Sequence, residues 1–139
     1  MPQSLLIKIY YSAALVNTLG VLLFTKGLTN QSLMQTDPSL FSHIGIVLIM
    51  VWGLCYYACA KAAMHYSSIS IVFAIEKLVY VCAWVLFVQA APDWSNLYAQ
   101  DLLTGLFYSI YGIVDALYMM FFAYTAYYVF TKHSPDSVE

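Results

Sequence analysis

The chain has 139 residues, of which 63% are hydrophobic and 9% are charged, whereas an average soluble domain carries roughly 25% charged residues. A soluble chain of this length could not bury so much apolar surface, so the composition excludes a soluble domain and predicts an integral membrane protein in the lipid bilayer. With five lysines, no arginine and a net charge of −2, the chain has no basic surface for nucleic acid, and no nucleic-acid partner is expected.

The first predicted membrane-spanning helix covers residues 5–25, since a helix needs about 20 apolar residues to cross the hydrocarbon core. Asn17 lies near its midpoint. Ala13 and Gly20 predict a small-residue face on which a neighbouring helix can pack closely. Two interpretations of Asn17 stay open: it joins helices by hydrogen bonds, or it lines one polar centre together with Glu76.

The second predicted span covers residues 41–63 and carries Trp52 near its centre. The loop before it, residues 26–40, is rich in polar residues and glycine. It ends in Asp37 and Pro38, a pair that is typical of a helix N-terminus, with the acid as cap and proline at the first helical position.

The second half of the chain predicts two further spans. Ser67 or Ser68 is expected to cap the third span, and Pro92 ends it. The fourth begins after a loop and runs apolar for long enough to tilt. In chain order these parts are the connector 64–70, the span 69–91, the loop 92–101, the span 102–130 and the polar tail 132–139.

These elements predict an all-α integral membrane protein, a single domain of residues 1–139 folded as an antiparallel four-helix transmembrane bundle with short loops. Four spans place both termini and the connector on one side. That side holds Lys8, Lys61 and Lys132, and the other holds Lys26. Because lysine excess marks the cytoplasmic side, we expect cytoplasmic termini in a cell (inner) membrane.

Glu76 and Lys77 stand side by side in the apolar run of the third span. A charge at bilayer depth costs between about 2.5 and 17 kcal/mol, so such groups are kept only where they face protein or a wet cavity. Asp115 lies near the middle of the fourth span, at a depth within side-chain reach. We therefore expect these three side chains to form one interior cluster.

Helical spacing brings further side chains to the same faces, because residues three or four apart share a face. The third span adds two aromatic residues, the fourth adds a tyrosine, and the first two spans contribute one residue each at mid-depth. The predicted binding or proton-relay site consists of Glu76, Lys77, Asp115, Asn17, Tyr80, Trp84, Trp52 and Tyr111.

Adjacent helical residues point about 100° apart, so Lys77 cannot pair comfortably with Glu76 alone. We expect Lys77 to reach Asp115 or a backbone carbonyl, while Glu76 takes hydrogen bonds from tyrosine or Asn17. Two carboxylates against one ammonium leave an excess negative charge. Either one carboxyl is protonated or a bound cation balances the cluster.

No metal or cofactor is expected. Cys55 and Cys59 share a helix face, but no histidine or third cysteine lies at ligand spacing, so we interpret them as packing residues. His43 and His65 lie at opposite ends of the second span, and the sequence offers no histidine pair at matched depth for a haem.

The function predicted from these features is a ligand-binding or proton/cation-relay site for transport or binding, with a small lipophilic or cationic ligand. Four helices enclose little volume, so a homo-oligomer or a membrane partner subunit is expected. One alternative is a structural or accessory subunit of a larger membrane complex, in which the cluster only locks helix packing. A second is a membrane-embedded isomerase that acts on a lipid-soluble substrate, with catalytic residues unassigned.

Overall fold

The structure is a computed structural model that describes residues 2–132, and within that range it contains helices and connecting segments but no strand. The predicted all-α class is confirmed. A π-helical segment, Val16–Gly20, joins the first two α-helices, and a 3-10 turn, Ala62–Met64, follows the fifth. The α-helices are α1 (Gln3–Leu15), α2 (Val21–Phe24), α3 (Gln31–Thr36), α4 (Pro38–Phe41), α5 (His43–Cys59), α6 (Ser67–Gln89), α7 (Trp94–Gln100) and α8 (Leu102–Lys132).

Three helices are long and apolar enough to cross a membrane: the continuous helix Gln3–Phe24, α6 and α8. Helix α5 is apolar but has 17 residues. At 1.5 Å per residue it extends about 25 Å, less than the roughly 30 Å of a typical hydrocarbon core. The second predicted span, residues 41–63, is therefore realised as a shorter helix followed by a 3-10 turn.

Both predicted loops contain short helices that the sequence pattern does not predict. Residues 26–40 include α3, whose N-cap Asn30 accepts a hydrogen bond from the Leu33 amide. Residues 92–101 include α7, where Asp93 caps by accepting from the Asn96 amide. An asparagine or aspartate at the N-cap satisfies an amide that the helix itself leaves free, which stabilises these short helices.

The predicted helix start is present in part: Pro38 is the first residue of α4, but the Asp37 side chain makes no capping hydrogen bond, so the expected acid cap is wrong. The expected cap at Ser67 or Ser68 is wrong. Helix α6 already begins at Ser67, and no side chain caps it. The nearby serine with a structural role is Ser70, whose hydroxyl lies 2.6 Å from the Tyr10 hydroxyl and so ties α6 to α1.

Two of the glycines at close helix contacts lie between the long helices. A Cβ atom at Gly112 in α8 would overlap the Trp84 ring of α6. At Gly53 in α5 a Cβ atom would lie 2.8 Å from Thr18 and 3.0 Å from the Asn17 Cβ. The predicted close-packing face at Gly20 is wrong, because a Cβ there would meet only atoms of its own helix, at 3.9 Å.

The helix ends are joined by a polar contact between the two long loops. Lys26 donates to Asp101, and the ammonium lowers the pKa of the Asp101 carboxyl to about 2. Asn30 also donates to Asp101, at 3.0 Å. These bonds hold the α2–α3 connection against the start of α8, at the same end of the molecule.

Candidate functional site

Lys77 is the centre of the site and is 1% exposed. Its Nζ donates to Oδ1 of Asp115 at 2.6 Å and to Oδ1 of Asn17 at 3.1 Å. A buried ammonium is tolerated only when it is paired and hydrogen-bonded. Helices α6 and α8 and the π-helical segment thus each provide one member of a single hydrogen-bonded group, as helical spacing indicated.

Glu76 is buried beside this group but has a different partner. Oxygen Oε2 accepts a hydrogen bond from the Tyr56 hydroxyl of α5, and it lies 3.9 Å from Lys77 Nζ, beyond hydrogen-bond distance. Oxygen Oε1 is buried and has no partner among the described residues. The expectation that Lys77 turns to Asp115 while Glu76 bonds a tyrosine agrees with these contacts.

Two aromatic rings face the ammonium. Lys77 Nζ lies 5.5 Å from the centroid of the Tyr56 ring and 5.8 Å from that of Tyr80. Both distances are within the range in which the negative face of a ring attracts a cation. The ammonium is therefore held by one carboxylate, one amide oxygen and two rings.

Asn17 occupies the π-helical segment, which is rare in proteins and occurs often at functional sites. Its amide nitrogen donates to the Ile49 carbonyl at 3.4 Å, while its oxygen accepts from Lys77. Both interpretations from the sequence hold at the level of contacts, since Asn17 joins the first helix to α5 and also belongs to the polar centre.

Next to the cluster lies an apolar pocket of about 240 Å³ between the first helix and α8. Its walls come from the first helix, α4, α5, α6 and α8. Its polar lining residues are Asn17, Lys77, Asp115 and two tyrosines. The lining residues are Val16, Asn17, Gly20, Val21, Phe24, Phe41, Ile49, Lys77, Tyr80, Phe107, Ile110, Tyr111, Val114 and Asp115.

Asp115 is the acidic residue of the pocket lining. Lys77 bonds its Oδ1, and no other hydrogen bond to the carboxylate exists among residues 2–132. The side chain is 13% exposed, in contrast to 2% for Lys77. Oδ2 is therefore free to accept a hydrogen bond from a molecule in the pocket.

Tyr111 lies one helical turn before Asp115 and lines the same pocket. Its ring stacks on Phe107 at 5.2 Å and meets Phe41 edge to face at 5.2 Å. Its hydroxyl is buried and has no partner in the described part of the chain. A buried hydroxyl without a partner is unusual and calls for an explanation.

Two tryptophans of the predicted site lie outside the pocket. Trp84, about two helical turns after Lys77, donates to the Tyr108 carbonyl at 2.8 Å and packs on Gly112. Trp52 meets the Phe73 ring at 6.3 Å within the apolar cluster between α1, α5 and α6. Both rings fill space between helices, and neither contributes to the pocket wall.

Sequence reasoning missed two kinds of site residue. Tyr56 was not assigned, although it is the hydrogen-bond partner of Glu76. The apolar wall was also missed, including Phe41, which α4 brings into the pocket. A tyrosine among many and a phenylalanine at a loop end carry no distinctive signal, because their positions depend on how the helices rotate.

The described residues contain no group of three or more His, Cys, Asp or Glu side chains that could hold a metal ion. Cys55 and Cys59 are partly buried beside the apolar cluster between α1, α5 and α6, and all three cysteines are free. In comparisons with known proteins, no protein-family model, curated protein or solved structure matches the chain.

Proposed function

We propose that the chain is an integral membrane protein whose first helix, α5, α6 and α8 form an antiparallel four-helix transmembrane bundle. Three helices have the required length, and α5 lies against the first of them through Gly53. Their outward surfaces carry large apolar side chains such as Leu19, Ile44 and Leu86, each more than 60% exposed. Exposed apolar area on this scale suits lipid rather than water.

Within this bundle we assign the function of binding a small lipophilic ligand, in transport or in storage. The observation that carries this assignment is the pocket, whose apolar walls lead to the Lys77–Asp115 pair. Ligand sites are typically apolar clefts with a few convergent polar groups that fix orientation. The site residues are Asn17, Lys77, Tyr80, Tyr111 and Asp115.

The ligand reaches this pocket from the bilayer. Two lining residues, Val16 and Ile110, are 39% and 40% exposed on the outer surface of the first helix and α8. Gly20 also lines the pocket and has no side chain to fill it. An opening at this depth favours a molecule dissolved in lipid over one from water.

Glu76 serves the site from behind Lys77. When Glu76 is protonated, Lys77 and Asp115 form a balanced pair. When it is ionised, the cluster has one excess negative charge that a cation in the pocket can offset. This supports the proton or cation relay as part of the same function.

The second candidate is a structural or accessory subunit in which the cluster only fixes helix packing. It is favoured by the burial of Lys77, which is 1% exposed and already has two hydrogen bonds.

We further propose cytoplasmic termini in a cell inner membrane, and a second copy or a membrane partner subunit in the working assembly.

Gly20→Leu tests the assignment, because Gly20 lines the pocket and an added Cβ atom there would meet only its own helix, at 3.9 Å. We expect native mass spectrometry of the purified protein to detect a co-purified small molecule on the wild type and to lose it in Gly20→Leu. Ala58→Leu, on the exposed surface of α5, is the matched control and should keep the molecule. Equal occupancy in all three proteins would exclude this pocket as the binding site.

A further inference from the structure

We propose that the ligand is a small lipophilic amine, bound as its ammonium ion with one N–H donated to the free oxygen of Asp115. This rests on the proposed function, since it names the chemistry of the molecule that the pocket takes. The shared chemistry is a primary ammonium on an apolar body, whether a free amine or the headgroup of an ethanolamine lipid.

The free oxygen of Asp115 selects a donor. Oδ1 accepts from Lys77 at 2.6 Å, and Oδ2 has no hydrogen bond among residues 2–132, in a side chain that is 13% exposed. An ionised carboxylate accepts hydrogen bonds and has none to donate. A ligand that offers only acceptors, such as a ketone or an ether, would face this oxygen without forming a bond.

The charges of the cluster favour a cation over a neutral donor. Glu76 and Asp115 carry two negative charges when ionised, and Lys77 is the only cation that contacts them among residues 2–132. One ammonium in the pocket makes the total zero. An alcohol could also donate to Asp115 but would leave the excess charge uncompensated at a depth where ions are costly.

The pocket walls suit the same ligand. Five aromatic rings line it, and ring faces attract ammonium ions as well as apolar groups. Its volume of about 240 Å³ is below the roughly 300–1,000 Å³ of drug-sized sites, which favours an amine with a single ring or a short chain. The aromatic lining residues are Phe24, Phe41, Tyr80, Phe107 and Tyr111.

The probe pair is phenethylamine and its neutral isostere 2-phenylethanol, measured by equilibrium dialysis at pH 7 against the full chain in phosphatidylcholine nanodiscs. Empty nanodiscs serve as the blank. At this pH an alkyl amine is protonated, because its pKa is close to that of lysine, about 10.4. We expect the amine to bind at least tenfold more tightly than the alcohol. Equal affinity of the two probes would overturn the proposal.

Two variants assign the effect to the cluster. Asp115→Asn should weaken amine binding at least tenfold. Glu76→Gln, which keeps the Asp115 carboxylate, should weaken it severalfold by removing one negative charge, and it keeps the test valid if Asp115→Asn does not fold. Asp93→Asn removes the same charge in the exposed α7 cap and should bind as wild type. Unchanged amine affinity in Glu76→Gln would contradict the charge argument.

Further measurements separate this proposal from the function it rests on. If the alcohol binds as well as the amine and Gly20→Leu abolishes both, the pocket is a ligand site but the ammonium assignment is wrong. If neither probe binds and Gly20→Leu has no effect on co-purified molecules, the proposed function fails as well. Competition by phosphatidylethanolamine added to the nanodiscs identifies a lipid headgroup as the source of the ammonium.

Discussion

At the scale of single residues, the polar centre distributes its partners unevenly. Lys77 has a carboxylate, an amide oxygen and two rings, whereas Glu76 has only the Tyr56 hydroxyl within hydrogen-bond distance. Lys77 bonds partners on two helices other than its own, and Glu76 bonds one. Loss of one hydrogen bond should therefore affect Glu76 more than Lys77.

This difference makes Tyr56→Phe informative. The substitution keeps the ring packed on Phe73 but leaves buried Glu76 without a hydrogen bond. We expect the free energy of unfolding to fall by about 1–3 kcal/mol, the cost of an unsatisfied buried group. The measurement is unfolding by SDS in mixed micelles, followed by tryptophan fluorescence.

Tyr57→Phe is the matched control, because Tyr57 is the next residue and is 64% exposed. Its loss of a hydroxyl should change stability by less than about 0.5 kcal/mol, as for other surface positions. If Tyr56→Phe is as neutral as Tyr57→Phe, the bond to Glu76 contributes nothing to the fold.

The ionic contacts could be predicted from the sequence because the proposed bilayer environment leaves charged side chains few choices of partner. A lysine and two acids in apolar helices must find one another or remain unpaired in lipid, and adjacent residues such as Glu76 and Lys77 point to different neighbours. Tyr56 could not be chosen in the same way. Thirteen tyrosines occur in the chain, and only the rotation of α5 decides which one faces Glu76.

At the scale of elements, α6 and α8 share the most extensive contact of any two helices in residues 2–132, and the Trp84 side chain of α6 packs against Gly112 of α8. Gly112→Ala should destabilise the protein by about 1–3 kcal/mol, because the added methyl group overlaps the Trp84 ring and forces the two helices apart. The same unfolding measurement applies.

Gly20→Ala is the control for helix propensity. Its new Cβ would have 3.9 Å to the nearest atoms, so the change should be neutral or stabilise by up to about 1 kcal/mol through the unfolded chain. Equal destabilisation by both substitutions would mean that the glycine effect is not one of packing against Trp84.

The long helices were predictable because a run of about 20 apolar residues leaves little choice of structure. The predicted span 69–91 became Ser67–Gln89, and 102–130 became Leu102–Lys132. The short helices α3 and α7 were not predicted. They depend on the caps Asn30 and Asp93 and on packing against the start of α8. Neither feature produces the periodic pattern of apolar residues from which a helix is predicted.

At the scale of the whole molecule, the loops with Lys26 and Asp101 meet at one end, while the α5–α6 connection lies at the other end of the same helices. This arrangement agrees with the proposed antiparallel bundle. The polar tail 132–139, which the sequence placed on the cytoplasmic side, lies outside the described residues except for Lys132.

Cysteine labelling in intact cells tests the orientation. On a background without Cys55, Cys59 and Cys82, a membrane-impermeant maleimide should label Ser95→Cys in α7 from outside. It should not label His65→Cys, the exposed site in the α5–α6 connection, until the cells are opened. The reverse pattern would invert the proposed topology, and labelling of both sites in intact cells would argue against an antiparallel bundle.

The π-helical segment Val16–Gly20 determines which side chains of the first helix face the interior. Ala13, Asn17, Val21 and Thr25, which are spaced four residues apart, are all buried. In a regular α-helix each step of four advances about 40°, so Thr25 would point about 120° away from the direction of Ala13. The wider π turn absorbs this advance. The same five residues that hold Asn17 against Lys77 therefore keep Val21 in the pocket wall and Thr25 in the interior, so that winding them more tightly would turn both away together.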